Sequence, residues 1–287
     1  MLAYLATLFF IFGTVVGSFL NVVILRYDRM PLTGRSGCPS CGRVLGWKEL
    51  VPVLSFLIQR GRCRGCDHPI SRQYPLVEVA TGLVFLAIFF FLIDFYQVSN
   101  IYEIPLIFFG SSFLILASVW GLLVAIFVYD LYHKIIPDDL VFPFIFLSLL
   151  WLFHSVSPDE FLSFPSLWDL FIGPFMFLFF ASLWFFSKGT WMGFGDAKLA
   201  LGMGFLLGFY YGLSAFMLSF WIGAGVALAL LAFRSVVNDF GSQKAPAFLK
   251  NIGLKSEIPF APFLIIGTAL AFFFHMDAFG IISLFGI

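Results

Sequence analysis

Apolar residues run through this chain in long blocks, and polar residues collect in the short intervals between them. The blocks predict helices over 2–25, 75–97, 104–130, 138–156, 167–187, 196–211, 213–233 and 259–284. Most reach the ~20 residues that carry an α-helix across a ~30 Å hydrocarbon core. The first block lacks a basic start, exceeds the length of a signal-peptide core and is followed by no small-residue cleavage site, so it reads as a spanning helix. Almost no loop separates 196–211 from 213–233. The glycines there (Gly202, Gly204, Gly208, Gly212, Gly223, Gly225) suit close helix packing in lipid.

Composition agrees with this pattern. The chain is 61% hydrophobic and 11% charged, with a mean hydropathy of +1.01, whereas soluble domains carry roughly 25% charged residues. The expected class is an all-α polytopic membrane protein of about eight transmembrane helices. Net charge is zero and carries no information about partners, but its distribution does. Of the 16 Lys and Arg, nine lie between Arg26 and Arg72; the others are Lys134, Lys188, Lys198, Arg234, Lys244, Lys250 and Lys255. Alternating eight spans puts all of them on one face. The opposite loops, 98–103 and 157–166, hold only the acids Glu103, Asp159 and Glu160. The positive-inside rule makes the basic face cytoplasmic and leaves both termini outside. Topology thus accounts for the basic charge, and no nucleic-acid partner is expected.

The one sizeable polar segment, 26–74, contains all four cysteines as two knuckles, Cys38-Pro39-Ser40-Cys41 and Cys63-Arg64-Gly65-Cys66. A reducing cytoplasm disfavours disulfides. Two Cys-x-x-Cys pairs at this separation match a tetrahedral four-thiolate zinc site with no open position, and therefore a structural one. Arg35, Arg43, Arg62 and Arg64 flank the thiolates and would offset their charge. The segment is expected to form a small cytoplasmic zinc-binding lobe between the first two helices.

The remaining chemistry lies in acids at helix ends. Met192-Gly193-Phe194-Gly195-Asp196-Ala197-Lys198 places a carboxylate at the entrance to a span, and an ionisable group there is costly enough to suggest function. Gly193 and Gly195 permit a tight turn and close backbone approach. Asp130 closes the third span on the same predicted face and at the same predicted depth as Asp196. Helix capping explains Asp196 equally well. It does not explain Asp130, which faces the unfavourable end of a helix dipole; an ion pair with Lys134 is its structural alternative. A carboxylate pair suits hydrolysis, one member taking a proton from water while the other gives one to a carbonyl oxygen. Asp138 and Asp139 read as helix-start acids. Two other classes stay open here: a transporter whose buried acids relay protons, and a scaffold that docks partners through the zinc lobe.

The order of several segments resembles the type IV prepilin peptidase family, bifunctional leader peptidase/N-methyltransferases of bacterial inner membranes and Gly-x-Gly-Asp aspartyl proteases. The segments are Gly17-Ser18-Phe19-Leu20-Asn21-Val22-Val23-Ile24, both knuckles, Val51-Pro52-Val53-Leu54-Ser55-Phe56, and Ile70-Ser71-Arg72-Gln73-Tyr74-Pro75-Leu76-Val77-Glu78. Asp130 with Ile136-Pro137-Asp138, the Gly-Phe-Gly-Asp stretch, and Ile258-Pro259-Phe260-Ala261-Pro262-Phe263 follow. The resemblance implies that Asp130 and Asp196 are catalytic. It implies cleavage of type IV prepilin or type II secretion pseudopilin leaders after a glycine at the cytoplasmic membrane edge. It further implies methylation of the new N-terminal residue from S-adenosylmethionine, with Zn2+ on Cys38, Cys41, Cys63 and Cys66. Gly193, Gly195, Lys198 and Glu78 are candidate supporting groups, and no residue is marked for the methyl donor. The run Leu25–Pro31 and the pair Leu50-Val51 depart from the family pattern, on the side of methylation. The expected division is 1–25, transmembrane helix; 26–74, zinc-binding and methyltransferase region; 75–287, membrane-embedded peptidase.

Overall fold

A computed structural model describes residues 2–27, 31–96, 106–156, 166–239 and 259–276. The main helices are α1 (Leu2–Arg26), the short α2 (Leu54–Ile58), α3 (Gln73–Phe95), α4 (Leu106–His133), α5 (Asp138–Ser155), α6 (Ser166–Ser187), α7 (Phe194–Asp239) and α8 (Ala261–Phe274). Among the described residues there is no strand, and six helices are long and apolar enough to cross a membrane. This is the all-α polytopic architecture that the apolar blocks predict, with most boundaries within about two residues. The loops carrying Glu103, Asp159, Glu160, Lys244, Lys250 and Lys255, and the predicted end of the last span beyond 276, lie outside the described residues.

The count of eight reduces to one residue. α7 is 46 residues long but is broken at Gly208, with φ 70° and ψ −173°. That backbone region is essentially reserved for glycine. A Cβ built on Gly212 would lie 3.9 Å from the Cα of Gly204, although eight residues of continuous helix would separate them by about 12 Å. The chain therefore reverses at Gly208 into limbs 194–207 and 209–239, four residues earlier than the predicted junction. With the 14-residue α8, the apolar helical pieces among the described residues number eight, the two α7 limbs together making one of the six helices of membrane-crossing length. Asp169, in the first turn of α6, accepts the Phe209 N–H at 2.7 Å and satisfies an amide exposed by the reversal.

Packing divides the chain into two compact units, residues 1–128 and 129–287. In the first, α1 lies against α3 at backbone contact: a Cβ on Gly13 would fall 2.8 Å from the Cα of Gly82, and one on Gly17 2.8 Å from the Cα of Glu78. This small-x-x-x-small spacing substitutes for a hydrophobic driving force that lipid does not provide. Phe9, Phe85, Phe89, Phe109 and Phe113 interlock beside it. In the second unit α7 packs on α5, α6 and α8. Gly204 meets Gly173, Gly202 meets the Phe144 ring, and Gly267 meets Ser219. Apart from Gly212, where a Cβ would meet only ordinary contacts, and Gly225, which has open space around it, the α7 glycines have packing or conformational reasons.

Candidate active site and metal site

The short run from the end of α4 to the start of α5 passes the entrance to α7. Ile136 reaches Gly195 so closely that a Cβ on that glycine would lie 2.9 Å from the Ile136 Cβ. Gly195 is therefore a steric requirement. Gly193 is not, since a Cβ there would stand 3.6 Å from its nearest neighbour, the Asp196 Oδ2. Its backbone hydrogen-bonds the Asp196 carboxylate, as an N-cap amide bonds the third residue of a helix in a capping box. Asp196 is 7% exposed and Asp130 5%. The charge on Asp130 acts on Asp196, and the Ala261 amide at the start of α8 hydrogen-bonds Asp130. Asp130 Oδ2 has no hydrogen-bond partner among the described residues. A buried carboxylate oxygen left open at a helix C-terminus is the reverse of what stability selects.

Lys198 donates to the Asp138 Oδ1 at 2.6 Å and lies over the rings of Phe142 and Phe194. This ties the start of α5 to the start of α7. Asp138 is thus more than a helix-start acid, because its carboxylate neutralises the lysine while Pro137 holds the N-cap position without a side-chain bond. Glu78 lies in the first unit, 6% exposed, accepting the Val53 N–H at 2.7 Å and a bond from Ser18. Val53 has φ 60°, ψ −51°, an outlying conformation for a β-branched residue. Glu78 therefore fastens the polar lobe to the α1–α3 pair.

The lobe carries an internal repeat of period 25 that the sequence reading does not contain. Cys38 N–H bonds Arg43 O at 2.9 Å and Cys63 N–H bonds His68 O at 2.9 Å. Gly42 returns to Cys38 O as Asp67 returns to Cys63 O, and Leu45 to Ser36 as Ile70 to Gly61. The left-handed residue after each second cysteine is Gly42 (φ 70°) in one knuckle and Asp67 (φ 58°) in the other. Asp is among the few residues that visit this region readily. The shared Cys-x-x-Cys with a Gly or Asp after it was the available signal.

The two knuckles bring all four Sγ atoms within 4.8 Å of one another, with Cys38 and Cys66 at 3.7 Å. Tetrahedral zinc with ~2.3 Å bonds needs sulfur edges of about 3.8 Å, so the donor set fits that ion. N–H groups of Cys41 and Ser40 hold the Cys38 thiol down at about 6. Burial and the neighbouring cysteines push Cys66 up to about 11, against the opposing bond from the His68 backbone. Arg43 and Arg62 spend their guanidinium groups on Glu49 and Asp67, at 2.5 and 2.7 Å, rather than on the sulfurs alone.

Two family descriptions match the chain: "Bacterial Peptidase A24 N-terminal domain" over residues 11–92 and "Type IV leader peptidase family" over residues 115–228. A prepilin leader peptidase/N-methyltransferase of Aeromonas hydrophila is 31% identical over 299 residues, covering 92% of this chain and 89% of that protein. The chain belongs to the type IV leader peptidase family. A relative of the same name from Bacillus subtilis is 30% identical across 93% of this chain and 94% of its own length. One from Myxococcus xanthus is 56% identical over 84 residues, which is 29% of this chain and 25% of that protein. No solved structure matches. Membership and the spanning helices make the chain a multi-pass inner-membrane protein.

Proposed function

We propose that this protein removes the leader of type IV prepilins or type II secretion pseudopilins and then methylates the new N-terminal residue. The near full-length likeness to leader peptidase/N-methyltransferases carries this reading. For cleavage we assign Asp130 and Asp196. The ionised member draws a proton from a water molecule, whose oxygen attacks the scissile carbonyl. The protonated member gives its proton to the carbonyl oxygen; the first aspartate then passes the proton it took from water to the departing amine as the C–N bond breaks, and the second regains its proton as the carbonyl re-forms. The pair titrates as a unit throughout. The open Oδ2 of Asp130 is the acceptor that an attacking water requires. Gly195 lets the α7 entrance close on Ile136, and the Lys198–Asp138 pair keeps the starts of α5 and α7 in register.

The basic face is the cytoplasmic one and both termini lie outside, by the charge partition above. A prepilin with an apolar helix in the bilayer and a basic leader in the cytoplasm would present its cleavage point at that interface. Cys38, Cys41, Cys63 and Cys66 would hold Zn2+ as a cross-link within the lobe, and S-adenosylmethionine, when bound, would supply the electrophilic methyl group. By chemistry, 26–74 serves metal and methylation and 75–287 serves cleavage; the packing units part elsewhere, at 128/129.

The test is leader removal from a matched prepilin by the detergent-solubilised protein. Asp130→Asn and Asp196→Asn should each abolish it while zinc content and thermal unfolding stay as in the parent. Normal processing by either folded variant would remove the pair.

A further inference from the structure

One buried polar cluster in the first unit is only partly explained by anchoring the lobe. On α1, Gly17, Ser18 and Asn21 form one stripe; on α3, Tyr74 and Glu78 form the facing stripe. Gly17 lies against the Cα of Glu78, and Asn21 Nδ2 donates to the Tyr74 carbonyl at 3.1 Å. The two contacts are one helical turn apart along the same seam, and Ser18, which hydrogen-bonds Glu78, lies three residues before Asn21 on the same face of α1. Asn21 is 1% exposed. Its nitrogen is fixed by a carbonyl partner, which settles the amide orientation, and its Oδ1 then accepts nothing among the described residues.

Glu78 is the second half. Its carboxylate takes one backbone N–H and one hydroxyl, both neutral donors, and no Lys or Arg pairs with it among the described residues. Holding Val53 in place needs only an acceptor, which a glutamine would supply. A buried carboxyl group with no Lys or Arg beside it, on the same seam as a buried amide oxygen without a donor, is a set of acceptors that a hydrogen-bonding cation would complete. That describes an ammonium group.

We propose that Glu78 and Asn21 form the subsite for the N-terminal ammonium of the cleaved substrate, the group to be methylated. This rests on the methyltransferase half of the proposed function and extends methylation beyond 26–74 to the ends of α1 and α3 that flank it. The depth is suitable: Asn21 lies five residues before the end of α1 and Glu78 five after the start of α3, about 7–8 Å inside the helix ends. An α-ammonium has no lone pair with which to accept a methyl group. Its N–H bond must break, the electron pair staying on nitrogen as the proton bonds to a Glu78 carboxylate oxygen; that pair would then form the N–C bond while the S–C bond of the sulfonium donor breaks, its electrons staying on the departing thioether sulfur. Asn21 Oδ1 accepts a second N–H and aims the nitrogen. Lipid ethanolamine carries the same ammonium chemistry, so the experiment must separate the two sources.

The experiment uses the full-length, zinc-loaded protein in lipid discs and a pre-cleaved pilin peptide beginning with phenylalanine, so that cleavage is bypassed. In the first arm, methyl transfer from S-adenosylmethionine by Glu78→Gln should fall about 100-fold or more, the scale of a lost proton acceptor. In the second arm, without methyl donor, the parent should bind the free-amine peptide about tenfold more tightly than its N-acetylated form, and Glu78→Gln should erase that preference. Asn21→Asp, which adds a carboxylate at unchanged size, should widen the preference, giving a second variant should Glu78→Gln lose zinc or unfold. Equal binding of the two peptides by the parent, or transfer by Glu78→Gln at the parental rate, overturns the subsite. So does amine preference that vanishes only when phosphatidylethanolamine replaces phosphatidylcholine in the discs and that Asn21→Asp leaves unchanged. A parent that shows the preference yet transfers no methyl would instead overturn the methyltransferase reading while leaving the subsite standing.

Discussion

Asp169, half-buried, and Asp130, buried, are both acids at membrane-helix ends, and they differ in what their oxygens do. Asp169 sits in the first turn of α6, where a helix dipole favours an anion, and receives the Phe209 amide released by the reversal at Gly208. Asp130 sits in the last full turn of α4, against the dipole, and keeps one oxygen open. A place at the end of a membrane helix is therefore a poor guide to chemistry in this molecule. Whether each oxygen has a local structural use discriminates better, and by that measure Asp196 is intermediate, because its carboxylate also serves the Gly193 amide.

The comparison breaks most sharply under mutation. Asn at 130 or 196 should lower leader cleavage by at least the 10²–10⁴-fold typical of a lost acid or base, whereas Asp169→Asn should cleave at close to the parental rate. Comparable losses at all three positions would mean that Asp130 and Asp196 also act structurally. Next comes the metal. Cys→Ser at any of the four positions should remove stoichiometric zinc, measured by atomic absorption, and destabilise the lobe far more than the bilayer helices. Zinc affinity in the parent should fall with acidity, because binding releases protons. The fall should steepen below about 6, where even the Cys38 thiolate is protonated; calorimetry in buffers of different ionisation enthalpy counts those protons. A smaller effect is expected at Asp169→Ala, where losing an acceptor at a helix start costs about 1 kcal/mol in thermal unfolding. The smallest belongs to Lys198→Met. Its partner Asp138 is 57% exposed, so the pair contributes below about 1 kcal/mol to stability, and any large change in cleavage there would mark Lys198 as more than a brace.

Why some of this was legible beforehand has a physical basis. Apolar blocks announce membrane helices because nothing else can hide a backbone in hydrocarbon, and that accounts for α1, α3 to α6 and the two limbs of α7. Four cysteines in two knuckles announce a metal because thiolates at that spacing have few other uses. Asp130 was legible through its conflict with the dipole. The functions of Asp169, Asn21 and Ile136 were not, since each depends on a residue 40 or more positions away, or on a packing distance that no periodicity encodes. Asp138 was half-read: its place at a helix start was visible, its partner 60 residues on was not. The reversal was foreseen as a junction, but only the backbone dihedrals identify which of several nearby glycines makes it.

That reversal carries a consequence for the direction of the chain. With no loop between the limbs of α7, the two form one hairpin. The direction of the second limb hangs on the single φ/ψ pair of Gly208. Were that residue to take ordinary helical angles, the limb 209–239 would run on along the axis of 194–207, and the close approach of Gly212 to Gly204 and the bond from Phe209 to Asp169 would both be lost. One glycine thus acts as the sign bit of the helix that follows it.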